Sequence, residues 1–147
     1  MRIREMVPGD YANVYTLWIS TPGMGLNDRD DSPDGIARYL ARNPHTSFVA
    51  QEGGHIVGAI LCGHDGRRGF IYHLVVAAQQ RKKGIGRNLV DAALSALKEE
   101  GIHKVALVVF AENSAGNAFW ERLGFTRRTD LNYRNKALAE LERMDIH

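Results

Sequence analysis

The sequence has little of what marks secreted, membrane-spanning or strongly charged proteins. Among 147 residues there is one cysteine, Cys62, which excludes an internal disulfide and suits a reducing cytoplasm. No apolar run approaches the length of a membrane span, and the N-terminus lacks a signal-peptide core. The 19 basic and 17 acidic residues leave a net charge of +2, which favours neither nucleic acid nor a membrane surface as a partner. We therefore predict a cytoplasmic protein.

What the chain does have is enough apolar side chains for one core. Hydrophobic residues make up 44% of the sequence, and the length suits a single domain spanning 1–147. Cys62 lies among apolar neighbours, which predicts a small buried side chain rather than a nucleophile. The histidines and aspartates show no metal-ligand spacing, so no metal is expected.

The pattern is organised around residues 70–97. Residues 70–76 form a short β-branched and aromatic run, which predicts a buried strand. Residues 86–100 predict an amphipathic helix that ends at Gly101, because apolar residues recur at the spacing of one helical face. A basic, glycine-containing turn joins the two.

This turn has the features of an anion site. Gly84 and Gly86 leave the first turn of the helix accessible, where backbone N–H groups lack intrahelical partners. Positive charge surrounds it, so a phosphate or pyrophosphate is the expected ligand. A dinucleotide fingerprint needs a small residue where Leu89 stands, and a P-loop needs lysine where Ile85 stands. The alternative is a solvated strand-to-helix connection. The cationic side chains are those of Arg81, Lys82, Lys83 and Arg87.

Periodicity and turn residues predict the other elements. Three consecutive strands joined by short turns must be antiparallel, whereas the strand after the long helix should run parallel to strand 70–76. The sheet is therefore expected to be mixed. In chain order, the predicted elements are a strand about Ile3, helices capped by Asp10 and Ser32, strands 46–52, 55–64 and 105–110, a short helix 112–123, a strand 125–133 and a terminal helix from Lys136.

The turn at 81–86 resembles the acyl-CoA signature of the GNAT superfamily of N-acetyltransferases. It has arginine, two variable residues, glycine, a variable residue and glycine, placed between a strand and a helix. Residues 113–125 are similar to a later family motif: an asparagine, a short helix carrying an aromatic residue, and a final leucine, glycine and aromatic residue. The order of elements also resembles that family. The resemblance implies an α/β GNAT fold, with a central mixed β-sheet flanked by helices.

The resemblance further implies that acetyl-CoA is the cosubstrate. An amine would attack its thioester directly, the acceptor being a small amine, an amino acid, an antibiotic or a protein amine. Main-chain groups of Leu74 and Val76, at a bulge in the central strand, would hydrogen-bond the pantetheine arm. The other cofactor-binding residues implied are Arg81, Lys82, Lys83, Gly84, Ile85, Gly86, Arg87, Asn113 and Trp120.

The sequence departs from the family at the positions of the acid and the base. Trp120 stands where many members carry a tyrosine that protonates the departing thiolate, and indole cannot give up a proton. Where members place a base, this chain has Phe70 and Tyr72. Tyr72 could act through a water, whereas His73 has the better intrinsic pKa but alternation could turn it to the other face. Tyr72 and His73 are therefore the candidate catalytic residues.

Other interpretations remain open. The lack of a convincing base, together with Trp120, also suits a catalytically silent acyl-CoA-binding module. Nucleic-acid binding has only the basic clusters behind it and is not expected. Three aspartates in the loop 21–31 could attract a cationic amine or simply be solvated, and an apolar stripe on the terminal helix could pack on a second subunit. The aspartates are Asp28, Asp30 and Asp31.

Overall fold

The computed structural model describes residues 1–144. Within these residues, five strands form one mixed sheet in sequential order, with four α-helices around it. The strands are β1 (Arg2–Glu5), β2 (Phe48–Glu52), β3 (His55–His64), β4 (Gly69–Val76) and β5 (Val105–Leu107). The helices are α1 (Tyr11–Ile19), α2 (Pro33–Arg42), α3 (Ile85–Glu99) and α4 (Ser114–Arg122).

The sheet topology confirms the predicted mixed sheet. Strands β1 to β4 are antiparallel to their neighbours, and β5 runs parallel to β4 after the crossover through α3. The tight turn between β2 and β3 uses Gly53 and Gly54, both at positive φ, as the glycine pair predicts. No helix among residues 1–144 is long and apolar enough to cross a membrane.

The core has two layers, one on each face of the sheet. Helix α3 covers one face with Leu89, Val90 and Leu97, whereas α1 and α2 cover the other with buried side chains such as Trp18 and Ile36. Side chains of β3 alternate between the two layers, as strand geometry requires. The α1 and α2 layer is the one that meets the candidate site.

Helices α1 and α2 both begin directly after the predicted N-cap residue, but only α2 has a side-chain cap. The Gly35 N–H donates to the Ser32 hydroxyl at 3.0 Å, which is the expected N-cap bond. Asp10 occupies the N-cap position of α1 but accepts no capping hydrogen bond from it. Its carboxylate instead accepts two hydrogen bonds from Arg4, at 2.8 and 2.9 Å, and one from the Val7 N–H, so the position was predicted correctly and the capping interaction was not.

After α3, one predicted strand is shorter than expected and another is absent from the described residues. Strand β5 ends at Leu107, and residues 125–133 form no strand. An additional strand needs a neighbour to pair with, and β5 is only three residues long. A charged side-chain pair, Arg128 with Asp130 at 2.8 Å, occupies the middle of this segment instead.

The predicted terminal helix is not formed over residues 136–144, and the rest of that prediction lies outside the described residues. The tail runs extended against the loop before α2: the Asp28 N–H donates to the Glu142 carbonyl at 2.9 Å, and the Met144 N–H to the Leu26 carbonyl at 3.1 Å. These backbone bonds override the helical propensity of the tail. The helical stripe on which the expectation of a second subunit depended is therefore missing there.

Candidate active site

Strand β4 contains a bulge centred on Tyr72. In its pairing with β3, Leu61 lies opposite His73 and Cys62 lies opposite Ile71, so Tyr72 has no residue opposite it. An extra residue of this kind breaks the alternation of side chains along a strand. The resemblance implied a bulge in this strand, and the structure places it two residues before Leu74.

Because of the bulge, the rings of Tyr72 and His73 both meet the α1 and α2 layer. The Tyr72 ring lies edge-on to Tyr39 of α2, with centroids 5.7 Å apart, and the His73 ring lies 5.1 Å from Trp18 of α1. Alternation therefore does not separate these two side chains, contrary to the sequence expectation for His73.

Strands β4 and β5 separate immediately after their first contacts. Their pairing ends at Ile71 and Leu107. Among the described residues, β4 has no paired strand on that side over residues 72–76, so its main-chain groups are available there, except that the Val76 carbonyl accepts a hydrogen bond from Arg81 Nε at 3.3 Å. The separation opens a cleft of about 2070 Å³ that runs along β4 to the start of α3. Leu74 and Val76 both line it.

The turn before α3 has the backbone that its glycines predict. Lys82 and Gly84 both take positive φ, at 64° and 82°, and α3 begins at Ile85. A Cβ added at Gly86 would meet only ordinary contacts, 3.4 Å from the Phe119 ring. The unpaired N–H groups of the first turn therefore lie at one end of the cleft, with no side chain over Gly86.

The cationic residues of this turn are not equivalent. Arg81, Lys82 and Arg87 line the cleft, whereas Lys83 is not among its lining residues. The Lys83 ammonium donates to the Gln80 side chain at 3.1 Å. Three of the four predicted cations are thus positioned for an anion at the α3 N-terminus.

Helix α4 forms the opposite wall. Asn113 lines the cleft and caps this helix, since its side-chain oxygen accepts from the Gly116 N–H at 2.9 Å. Its amide nitrogen makes no hydrogen bond within residues 1–144. Trp120 also lines the cleft, in edge-on contact with Phe119 and Phe125 at 5.1 Å. The indole completes an apolar wall and supplies no acid.

Tyr72 is the more accessible of the two candidate catalytic residues. It is 54% exposed and its ring also contacts Phe70, with centroids 4.7 Å apart. Partial burial, Tyr133 and Asp30 raise the pKa of Tyr72, in that order of importance. Its hydroxyl therefore stays protonated at neutral pH and can donate a hydrogen bond there.

His73 has a different setting, buried beneath the loop 21–31. Its Nε2 lies 2.8 Å from Oδ1 of Asp31, and the two residues are 8% and 4% exposed. The other oxygen of Asp31 accepts from the Asn27 N–H at 2.9 Å. His73 Nδ1 is buried and makes no hydrogen bond within the described residues. The imidazole thus links β4 to the loop.

Sequence reasoning missed this link and the α2 wall. The interpretation of the loop aspartates as solvated or substrate-attracting does not hold for Asp31, and no local signal marks which aspartate is buried. Arg38 and Arg42 also line the cleft. Their four-residue spacing on a helix that Tyr39 shares would have placed them on one face.

The surroundings of Cys62 decide its chemistry, and the grouping of possible ligands among the described residues bears on a metal site. Burial raises the pKa of Cys62 to about 12, so its thiol is not a nucleophile at neutral pH. Among residues 1–144, no group of three or more histidine, cysteine or carboxylate side chains could hold a metal ion.

Comparison with known proteins identifies the class. Residues 11–125 match the acetyltransferase (GNAT) family. An acetyltransferase of Sodalis glossinidius (strain morsitans) is 31% identical over 140 residues, covering 95% of this chain and 97% of that protein. The crystal structure of Ard1 from Thermoplasma volcanium aligns with a TM-score of 0.75 at 25% identity, covering 85% of this chain and 82% of that one.

A third comparison concerns the fold alone. The PaiA N-acetyltransferase of Thermoplasma acidophilum, solved in complex with coenzyme A, aligns with a TM-score of 0.74 at 18% identity, covering 85% of this chain and 89% of that one. The chain belongs to the GNAT family and is an acetyltransferase, with the GNAT fold expected from its sequence. This finding favours the enzyme over the silent binding module.

Proposed function

We propose that this enzyme binds acetyl-CoA in the cleft beside β4 and transfers the acetyl group directly to an amine of its acceptor. The observation that carries the proposal is the separation of β4 from β5 beyond Ile71. It opens a cleft that runs from unpaired main-chain groups of β4 to the N-terminus of α3. An extended thioester with a pyrophosphate at one end fits that arrangement. We further propose that it acts in the cytoplasm without metal or nucleic acid.

The cofactor-binding residues follow from position. Main-chain groups of Leu74 and Val76 would bind the pantetheine arm, and the Asn113 amide nitrogen is placed to approach it from the other wall. The first-turn N–H groups at Ile85, Gly86 and Arg87 would bind the pyrophosphate, because the helix dipole favours an anion there. Gly84 would give the turn its shape, and Trp120 would line the wall opposite β4. The positive charges facing the pyrophosphate would come from Arg81, Lys82 and Arg87, whereas Lys83 would contribute from outside the lining of the cleft.

Acetyl-CoA supplies an activated acyl group, whose carbonyl carbon accepts the amine nitrogen as the C–S bond breaks. A free N–H of β4 would polarise the carbonyl, as in an oxyanion hole. The acceptor ammonium must first lose a proton, which passes to water, and its nitrogen loses a second proton to water as the amide forms. The neutral Tyr72 hydroxyl would hydrogen-bond the acceptor or that water, and a proton from solvent would go to the departing thiolate, so that one proton is released overall.

We assign His73 a positioning role next to Tyr72. Its hydrogen bond to Asp31 holds the bulge against the loop that carries Asp30, a carboxylate whose charge helps to raise the pKa of Tyr72. The distance between the phenol and that loop would then depend on the buried pair. This role requires no proton transfer by His73, whose Nδ1 is buried and makes no hydrogen bond within the described residues.

The proposal is tested by a thermal-shift titration with acetyl-CoA, CoA and ATP, followed by CoA release with a panel of amines. A ligand that binds only the folded state raises the unfolding midpoint in proportion to its affinity. We expect both CoA species, but not ATP, to raise it, and at least one amine to release CoA. An equal shift with ATP, or none with acetyl-CoA, would reject the cofactor site.

A further inference from the structure

One face of α2 presents two arginines to the part of the cleft that lies beside Tyr72, where the proposed function places the acceptor. Gly35, Arg38, Tyr39 and Arg42 all line it, and their spacing is that of a single helical stripe. The Tyr39 ring in this stripe touches the bulged Tyr72. Arg38 and Arg42 therefore flank the aromatic pair beside which the proposed reaction takes place.

Neither guanidinium is neutralised by the protein. Arg38 and Arg42 make no ion pair or side-chain hydrogen bond within residues 1–144. Like charges four residues apart destabilise a helix slightly, so the spacing of the two arginines does not stabilise α2. An anion held between the two would remove that repulsion.

Most other charged side chains of this part of the cleft already make hydrogen bonds; Asp34, four residues before Arg38 on α2, lines the cleft but makes no hydrogen bond or ion pair within residues 1–144. Asp31 binds His73, Asp28 accepts from the Glu142 N–H at 2.8 Å, and Asp30 accepts from Asn27 at 3.0 Å. Arg29 donates to the Glu140 carbonyl at 2.9 Å. The two arginines of α2 are thus the free cations on this wall, within the part of the chain that the structure describes.

We propose that the acceptor is an amine that also carries an anionic group, a carboxylate or a phosphate, bound by Arg38 and Arg42. The inference rests on the proposed function, which puts the amine beside Tyr72. Guanidinium groups bind such planar or tetrahedral anions through paired hydrogen bonds.

The test compares matched acceptors that differ only in the anion. Three pairs serve: L-lysine with L-lysinamide, 3-aminopropyl phosphate with 3-aminopropanol, and short peptides beginning Ala-Asp with ones beginning Ala-Asn. We expect kcat/KM for CoA release to favour the anionic member of at least one pair by about tenfold, as for a charge-assisted hydrogen bond. Arg38→Gln combined with Arg42→Gln should bring that ratio close to one.

The control variant is Arg2→Gln, which removes an exposed arginine from β1, at the opposite edge of the sheet. It should leave the ratio unchanged, and all variants should bind acetyl-CoA as the wild type does. Equal rates within every pair, or a ratio that survives the double substitution, would overturn the inference while leaving the proposed function intact. Failure to bind acetyl-CoA would instead overturn the proposed function.

If no member of the panel releases CoA, a binding measurement decides. The CoA-saturated protein is titrated with each anionic member while the arginine Nε–H signals are followed by NMR, the two substitutions supplying the assignments. Shifts of the Arg38 and Arg42 signals that the neutral member does not cause would support the inference. Their absence with all three anionic members would overturn it.

Discussion

His73 Nε2 and Asp31 Oδ1 lie 2.8 Å apart in a buried contact that joins the central strand to the loop before α2. The same aspartate holds the Asn27 N–H, and its main-chain carbonyl accepts from the Tyr11 hydroxyl at 2.7 Å. One residue, Asp31, thereby connects the strand, the loop and the first helix. His73 lies next to Tyr72, so this connection supports the wall of the cleft that Tyr72 lines.

Asp31→Ala should destabilise the fold by about 3 kcal/mol, because it leaves a buried imidazole and a backbone N–H without their partner. Urea unfolding measures this. Asp91→Ala, at an exposed position of α3, should change stability by no more than about 0.5 kcal/mol. Similar midpoints for the two variants would contradict the role of the pair. For Asp31→Asn, we expect kcat to fall with the KM for acetyl-CoA unchanged.

Gly84→Ala should weaken acetyl-CoA binding. Gly84 has a φ of +82°, a conformation that costs an alanine roughly 1–2 kcal/mol. The turn in the variant should therefore relax, so that the N–H groups of the first turn of α3 no longer point at the pyrophosphate. Gly54→Ala is the matched control, because Gly54 has a φ of +81° and both sites have open space around a Cβ. Both variants should lose comparable stability, and calorimetry should find weaker binding only for Gly84→Ala. Unchanged affinity would show that the turn does not bind the cofactor.

Tyr72→Phe should lower kcat by about 10²-fold, a typical contribution of a positioned proton donor, without changing acetyl-CoA affinity. The variant keeps the ring contacts with Tyr39 and Phe70. Because the pKa of Tyr72 is raised above its ordinary value of about 10, the hydroxyl stays protonated throughout the neutral range. The ratio of wild-type to variant rates should therefore be constant between about pH 6 and 9. A ratio that rises with pH there would mean that Tyr72 acts as phenolate.

Acid unfolding should involve Asp10. Burial by itself would raise the pKa of this carboxyl, but the hydrogen bonds from Arg4 and the Val7 N–H outweigh it and leave the pKa lowered. Because the folded-state pKa is depressed, the carboxylate stabilises the fold above its unfolded value of about 3.9 and loses that contribution as the pH falls through the folded value. Asp10→Asn should reduce stability at pH 7 and flatten the decline below about pH 4. An undiminished decline would exclude Asp10.

Local patterns predict the framework of this protein well. The run at 70–76, the glycine pair at 53 and 54, the Ser32 cap and the amphipathic helix at 86–100 each depend on interactions between near neighbours in the chain. Such interactions are visible in propensity and periodicity. The basic turn with Gly84 and Gly86 belongs to the same class, because a glycine at positive φ and a free helix N-terminus are local properties.

The C-terminal predictions failed because the competing interactions are distant. Residues 136–144 have helical composition, yet main-chain groups of Glu142 and Met144 pair with Asp28 and Leu26, more than a hundred positions away. Residues 125–133 lack a strand because β5 is too short to extend. Neither fact is present in the local sequence.

The sequence by itself determined the strands β1 to β5, the helices α1 to α4, the basic glycine-containing turn before α3 and the presence of an indole at position 120, since these follow from residue type and short-range spacing. The tertiary structure alone decided which side chains meet at the site. The bulge at Tyr72 turns Tyr72 and His73 toward the same layer, and packing buries Asp31 against His73 while leaving Arg38 and Arg42 open to the cleft. These relationships depend on strand register and on contacts between segments far apart in the chain, which spacing does not encode.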